Sequence, residues 1–120
     1  MKIVYTCFCT DVIHEGHMNI IKEAKKLGRG IIGVATDKGM VRYNRFPTIP
    51  FEERVQMIRS IDGISEVVKQ DDVMYENNIR LYRPDIVVHG DDWCNGPMQA
   101  IRENANRVLK EYGGTIVYIP

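Results

Sequence analysis

Short apolar runs alternate with amphipathic stretches along the whole chain. The runs are rich in β-branched and aromatic residues, which is typical of buried strands, whereas the stretches between them repeat apolar residues at helical spacing. The pattern predicts five strands, at residues 3–8, 31–35, 66–69, 85–89 and 115–119, and four helices, at 18–27, 50–61, 73–82 and 97–112.

The first predicted helix shows how clear the pattern is. Ile20, Ile21, Ala24 and Leu27 recur at helical spacing, lysines and a glutamate occupy the other side, and Gly28 is placed to cap the end. Strands that alternate with helices in this way form a parallel, doubly wound sheet. Ligands of such sheets bind outside the carboxyl ends of the strands, where the strand order reverses.

Composition narrows the functional class. Sixteen basic residues balance sixteen acidic ones, which argues against a general nucleic-acid binder, because such proteins need a surplus of cations. No apolar run approaches the roughly 20 residues that span a bilayer, and the first residues lack a signal-peptide pattern. Three cysteines, Cys7, Cys9 and Cys94, are an odd number in a chain without an export signal. We therefore expect a soluble, cytoplasmic protein with reduced thiols.

The segment after the first strand reads Thr10-Asp11-Val12-Ile13-His14-Glu15-Gly16-His17. It lacks the glycine-rich dinucleotide fingerprint and the P-loop lysine, yet a helix that begins here would direct its dipole at a bound phosphate. His14 and His17 could donate hydrogen bonds to phosphate oxygens, and Gly16 leaves room for a nucleotide. A zinc site formed with Cys7 and Cys9 is the second interpretation.

The fourth strand ends in His89-Gly90-Asp91-Asp92-Trp93. Two adjacent carboxylates could bind ribose hydroxyls, orient a base or help to hold Mg²⁺, and the tryptophan could stack on a ligand. A turn in which an aspartate caps the next helix explains the same residues equally well.

Arginines cluster around the connection that follows the second strand: Arg42, Arg45 and Arg54, close to Lys38. The guanidinium group binds phosphate through two parallel hydrogen bonds. An ordinary solvated, charged loop is the alternative explanation.

Together these segments resemble the nucleotidyltransferases with an HxGH signature, and among them the cytidylyltransferases. The resemblance rests on DVIHEGHMNIIKEAKKLG, on FEER followed by SEVV, and on HGDDW, in this order over essentially the whole chain. It implies an α/β fold, namely a Rossmann-like, doubly wound, five-stranded parallel sheet with helices on both faces. We expect residues 1–120 to form a single nucleotide-binding domain.

The resemblance also implies a reaction, in which a phosphonate or phosphomonoester oxygen attacks the α-phosphorus of CTP and pyrophosphate leaves. In that reaction His14 and His17 stabilise the transition state, and Mg²⁺ neutralises the triphosphate. The implied nucleotide-binding residues are Cys9, Thr10, Asp11, Gly16, His89, Gly90, Asp91, Asp92 and Trp93. Arg42, Arg45 and Arg54 are the candidates for the substrate phosphate, and we expect no protein-bound structural metal.

Among the cytidylyltransferases, the chain most resembles those of phosphonate biosynthesis. This resemblance implies fusion or pairing with a phosphoenolpyruvate mutase. Relatives also form homodimers, which implies a homodimer here. Two other functions stay open. The first is an adenylyltransferase, because the HxGH motif alone does not determine which nucleotide base is bound. The other is a non-catalytic nucleotide-binding module. The family continues past the fifth strand with a basic segment, whereas this sequence stops at Pro120, so either the sequence is truncated there or the protein lacks part of the triphosphate site.

Overall fold

The computed structural model describes residues 2–8, 15–42, 48–61, 64, 66–72, 74–90 and 99–119. Its five strands form one parallel sheet in the order β3-β2-β1-β4-β5, which confirms the predicted fold. The strands are β1 (Ile3–Phe8), β2 (Arg29–Ala35), β3 (Glu66–Gln70), β4 (Ile86–Gly90) and β5 (Thr115–Ile119), and the helices are α1 (Glu15–Leu27), α2 (Asp37–Arg42), α3 (Phe51–Arg59), α4 (Glu76–Tyr82) and α5 (Gln99–Lys110).

Helices cover both faces of the sheet. On one face α1 and α3 bury their apolar sides against alternate residues of the central strands, and on the other face α4 and α5 do the same. The first face contains Val4, Phe8, Ile21, Ala24, Ile32, Val34 and Ile58, and the second contains Tyr5, Cys7, Ile31, Ile79, Val87, Ala105, Val108 and Leu109. Burial of these side chains is the main source of stability, because each large apolar side chain among them contributes about 1.5–3 kcal/mol when it leaves water.

The α4–α5 face also contains a buried polar network. The Tyr5 hydroxyl, which is fully buried, donates to Gln70 Oε1 at 2.5 Å and accepts from Asn78 Nδ2 at 2.9 Å. Gly33 of β2 leaves the space for this hydroxyl, since a Cβ atom there would lie 2.1 Å from the Tyr5 oxygen. The network joins β1, β3 and α4, so it specifies how these three elements pack.

Two helices begin three residues away from their predicted starts. α1 begins at Glu15 rather than at residue 18, because His17 packs on Phe8 and extends the helix by a turn. The predicted start of α4 is residue 73, but the helix begins at Glu76. The reason is that the Asp72 carboxylate accepts a hydrogen bond of 3.4 Å from the Met74 N–H and forms a turn before the helix.

The second helix, α2, was not predicted. It has only six residues, and the Thr36 hydroxyl caps its start by accepting a bond from the Gly39 N–H at 3.1 Å. The remaining elements agree with the prediction to within two residues at each end, and β1 and β5 agree completely. No helix in the described ranges is both long and apolar enough to cross a membrane.

Candidate active site

The strand order reverses between β1 and β4. The chain passes from β1 outward through β2 and β3, then returns to place β4 on the other side of β1, with β5 outside it. Val4 lies opposite Ile86 and Tyr5 opposite Val87, so the carboxyl ends of β1 and β4 open on the same edge. A parallel sheet binds its ligands at such a reversal, which places the candidate site beside Phe8 and Gly90.

His17 lies at this edge, in the first turn of α1. Its imidazole ring is half-buried and packs edge-on against Phe8, the last residue of β1, with ring centroids 4.7 Å apart and an interplanar angle of 61°. The contact holds the imidazole beside the end of β1. Gly16, the preceding residue, is exposed and has no side chain to cover the amino end of α1.

His89 and Gly90 form the end of β4, on the other side of the reversal. Both residues are half-buried, and they pair with Tyr118 and Ile119 of β5. His89 Nδ1 lies 3.2 Å from the Gly90 carbonyl oxygen, and this contact orients the second imidazole at the same edge of the sheet. The structure thus brings together two segments that are about 70 residues apart in sequence.

Most of the other predicted site residues lie outside the described ranges. These are the catalytic candidate His14, the nucleotide-binding candidates Cys9, Thr10, Asp11, Asp91, Asp92 and Trp93, and the phosphate-binding candidate Arg45. The backbone of Arg42 is described, as the last residue of α2.

Arg54 corrects the sequence-based interpretation. We expected its side chain to bind a substrate phosphate, but it is only 1% exposed. Its Nη1 donates to the Ala35 carbonyl oxygen at 2.5 Å, its Nε donates to the Ile49 carbonyl oxygen at 3.0 Å, and its Nη2 lies 2.5 Å from Asp37 Oδ1. The guanidinium group therefore binds the protein itself and presents no accessible cation to a ligand.

Asp37, which the sequence analysis did not single out, is the counter-ion of this buried cation. Its side chain is 55% exposed, so the ion pair is open to solvent on the carboxylate side alone. The signal available in the sequence was the pair Thr36-Asp37 directly after a buried strand, which is typical of a helix start.

The structure rules out a zinc site that joins Cys7 to His17. Cys7 is buried in the α4–α5 face of the sheet, whereas His17 packs on Phe8 at the α1 face, and successive strand residues point to opposite faces. In the part of the chain that the structure describes, no group of three His, Cys, Asp or Glu side chains is placed to hold a metal ion.

A shallow hollow of about 390 Å³ lies between α1 and Ile61, two residues after the end of α3. It is lined by Met18, Ile21, Lys22, Lys25, Lys26 and Ile61. Its lysines make it the natural alternative place for a phosphorylated ligand, so any test of the candidate site has to distinguish the two.

Comparison with known proteins agrees with this fold. The family model for cytidylyltransferase-like proteins matches residues 4–118. The chain is 33% identical to the bifunctional protein HldE of Desulfatibacillum aliphaticivorans over 99% of its own length and 24% of that protein. It is 31% identical to the ethanolamine-phosphate cytidylyltransferase of Arabidopsis thaliana over 76% of its length and 23% of that protein. It is 29% identical to the FAD synthase of Methanohalobium evestigatum over 68% of its length and 55% of that protein.

Among solved structures, the lipopolysaccharide core biosynthesis protein of Thermoplasma volcanium is similar to this chain, with a TM-score of 0.82 and 23% sequence identity. The match covers 100% of this chain and 97% of that protein's chain. At that identity the likeness concerns the fold alone. The chain spans about a quarter of the length of the HldE and ethanolamine-phosphate relatives. The family model matches nearly the whole chain, and two of the relatives are about one third identical to it. The chain therefore belongs to the cytidylyltransferase-like family of nucleotidyltransferases.

Proposed function

We propose that this chain transfers CMP from CTP to a small phosphonate or phosphomonoester. An oxygen of the acceptor attacks the α-phosphorus of CTP, the bond between that phosphorus and the α–β bridging oxygen breaks, and pyrophosphate leaves with the electron pair. The observation that carries the proposal is the position of His17, which packs against the Phe8 ring in the first turn of α1 at the strand-order reversal.

In this mechanism the histidines stabilise charge. As the α-phosphorus becomes five-coordinate, its equatorial oxygens gain negative charge, and the His17 imidazole, with His14, donates hydrogen bonds to that charge. The amino end of α1 adds the favourable end of the helix dipole. Because Gly16 has no side chain and is exposed, the phosphates can approach the backbone closely. Direct attack by the acceptor requires no covalent enzyme intermediate.

The remaining predicted residues keep their roles within this proposal, except for Arg54. Asp91, Asp92 and Trp93 would contact the nucleotide beside His89 and Gly90, and Cys9, Thr10 and Asp11 would shape the triphosphate pocket. Arg42 and Arg45 would bind the substrate phosphate. Mg²⁺ bound with CTP would neutralise triphosphate charge, with Asp91 and Asp92 as candidate carboxylates.

The proposal also specifies the base of the nucleotide and the chemical class of the acceptor. HGDDW favours cytosine, and one relative is named a cytidylyltransferase. Another is named an FAD synthase, so transfer of AMP from ATP is the second candidate. For the acceptor we favour a phosphonate such as 2-aminoethylphosphonate, supplied in the cytoplasm by a phosphoenolpyruvate mutase pathway, and we expect the protein to act as a homodimer.

Pyrophosphate release tests the proposal directly. The protein would be assayed with CTP, ATP or GTP and Mg²⁺ against 2-aminoethylphosphonate, hydroxymethylphosphonate, glycerol phosphate and phosphocholine. We expect release with CTP and at least one acceptor, and a loss of about 10²–10³-fold in kcat for His17→Ala, since one well-aimed donor is removed. Lys25→Ala, an exposed change in the last turn of the same helix, is the matched control and should keep full activity.

Three outcomes would count against the proposal. Normal turnover by His17→Ala would remove the histidine from the mechanism. Release with ATP but not with CTP would establish the adenylyl alternative. Binding of CTP without release across the acceptor panel would favour a non-catalytic nucleotide-binding module.

A further inference from the structure

We infer that Phe8 is a positioning residue, whose ring fixes the direction in which the His17 imidazole faces a bound phosphate. The inference rests on the proposed function, in which His17 donates a hydrogen bond to the charge that grows on the α-phosphoryl oxygens. It assigns to a buried apolar residue a role in catalysis that requires no contact with the nucleotide or the acceptor.

Phe8 is itself held firmly by its neighbours. It ends β1 at the strand-order reversal and is 3% exposed. Three other elements contribute buried side chains to the cluster around it, namely Ile21 of α1, Ile32 and Val34 of β2, and Ile58 of α3. Because protein interiors are close-packed, these neighbours leave the Phe8 ring little freedom to shift. The ring therefore offers a fixed surface at the end of β1.

His17 lies against this surface at the start of α1. It follows the exposed Gly16 in the first turn of the helix, where glycine contributes little to helix stability. The two rings meet at 61° with their centroids 4.7 Å apart. Aromatic pairs favour edge-on contacts at about 4.5–7 Å, so this contact is at the close end of the favourable range. It fixes both the turn of α1 and the imidazole that the turn carries.

A flat ring restrains the imidazole in a way that an aliphatic side chain does not. An aromatic ring has a negative face and a positive edge, so its contacts with another ring depend on direction, whereas the burial of an aliphatic group does not. His17 is half-buried, so part of it stays accessible to a ligand while Phe8 limits its orientation. Leucine in place of Phe8 would keep the burial and remove the directional contact.

Pyrophosphate release by Phe8→Leu measures the effect of the ring on the reaction. The value of kcat should fall about tenfold, because a misdirected donor no longer meets the charge of the transition state. The KM for CTP should change by less than about twofold, since that charge is small in the ground state. Added to His17→Ala, Phe8→Leu should lower kcat no further, because it acts through the same imidazole.

The matched control for packing is Ile58→Val. Ile58 is 2% exposed and belongs to the same buried cluster, but it lies on α3. Its replacement also removes buried apolar volume, and it should leave kcat unchanged. If Phe8→Leu does not fold, Phe8→Met takes its place in every measurement, since methionine adapts to the shape of a core site.

Proton NMR reports the orientation of the imidazole without any turnover. The sequence contains three histidines, and the variant His17→Gln identifies the ring signals of His17. An aromatic ring shifts the resonances of nuclei that pack on it, so the His17 ring protons should resonate away from the position of a solvated histidine. In Phe8→Leu they should move toward that position, and in Ile58→Val they should not move.

The inference is overturned if Phe8→Leu lowers kcat no more than Ile58→Val does, if its effect on kcat adds to that of His17→Ala, or if the His17 signals are the same with and without the Phe8 ring. Failure of the proposed function would be seen elsewhere, as the lack of pyrophosphate release from CTP by the unaltered protein. The NMR comparison would then still decide whether Phe8 orients the imidazole, so the two fail separately.

Discussion

Among single residues, Tyr5 shows how a polar side chain is accommodated at the centre of the sheet. Its hydroxyl both donates and accepts a hydrogen bond, and its ring meets that of Tyr75 edge-on with centroids 5.7 Å apart. Burial, with a smaller contribution from the nearby Cys7, raises the pKa of Tyr5 well above its ordinary value of 10.0. The neutral hydroxyl is therefore a requirement of the folded state.

This requirement predicts loss of stability at alkaline pH. A group whose pKa is raised by folding stabilises the native state fully below its unfolded pKa, and that contribution is lost as the pH rises toward the folded pKa. Above about pH 10 the free energy of unfolding should fall by about 1.4 kcal/mol per pH unit for the Tyr5 proton. Tyr5→Phe should reduce this slope and also cost about 1–3 kcal/mol at pH 7, because Gln70 and Asn78 each lose a partner.

Urea unfolding between pH 7 and pH 11 measures both effects, with Tyr118→Phe, a half-buried tyrosine of β5, as the control. The slope should not vanish in Tyr5→Phe, since burial also raises the pKa of Tyr112. If the free energy of unfolding falls equally steeply with pH in Tyr5→Phe and in the unaltered protein, the Tyr5 hydroxyl ionises freely in the folded state.

The two residues His17 and Arg54 show what a sequence can and cannot predict about a site. The location of His17 was predictable because it follows from local position, between a buried strand and a helix. Arg54 was not, because the burial of a guanidinium depends on carbonyl groups that only the fold brings near it, one of them 19 residues away. A basic residue near a phosphate site looks the same in sequence whether it binds the ligand or the protein.

At the scale of elements, the junction of α1 and β2 depends on one glycine. Gly28 was expected to cap the helix, a position where a glycine often has positive φ, but within the described ranges Gly113 is the glycine with positive φ. Gly28 is required for a different reason: a Cβ atom there would lie 2.2 Å from the Lys2 carbonyl oxygen, which accepts the Arg29 N–H at 2.9 Å. The end of α1 thus passes directly over the start of β1.

Gly28→Ala should therefore destabilise the protein by about 1–3 kcal/mol, the usual cost of overpacking, because the clash is with backbone. Gly30→Ala is the matched control, two residues away in β2, where a Cβ atom would meet nothing within 4 Å. That variant should be neutral or slightly more stable, since alanine lowers the entropy of the unfolded chain. Equal midpoints of urea unfolding for the two variants would contradict the close-approach explanation.

The elements differ in how well the sequence predicts them, and length and burial explain the difference. β1 and β5 were predicted completely because short β-branched and aromatic runs are distinctive. α2 has six residues and no apolar repeat, so its helix depends on the Thr36 cap and on its docking beside β3, which are tertiary features. The first turn of α1 contains Gly16, a poor helix former, and the packing of His17 on Phe8 extends the helix through it.

At the scale of the whole molecule, the strand-order reversal determines where a nucleotide can stabilise both halves of the sheet. One half contains β1, β2 and β3, and the other contains β4 and β5. A ligand that contacts His17 and the His89-Gly90 segment bridges these halves. The hollow beside α1, in contrast, is lined by residues from α1 and from the end of α3, so a ligand there would contact one face of one half.

This difference predicts which amides a nucleotide protects. With CTP and Mg²⁺ at about 100 times Kd, the free energy of unfolding should rise by about 2.7 kcal/mol. Hydrogen exchange followed by mass spectrometry should then slow most in peptides covering residues 15–20 and 86–90, which lie on the two sides of the reversal. Peptides from α4 lie on the opposite face, so their hydrogen exchange should slow only as far as the increase in the global free energy of unfolding requires. Protection centred on Lys22, Lys26 and Ile61, with loss of CTP affinity in Lys25→Ala, would instead place the nucleotide in the hollow and remove His17 from the site.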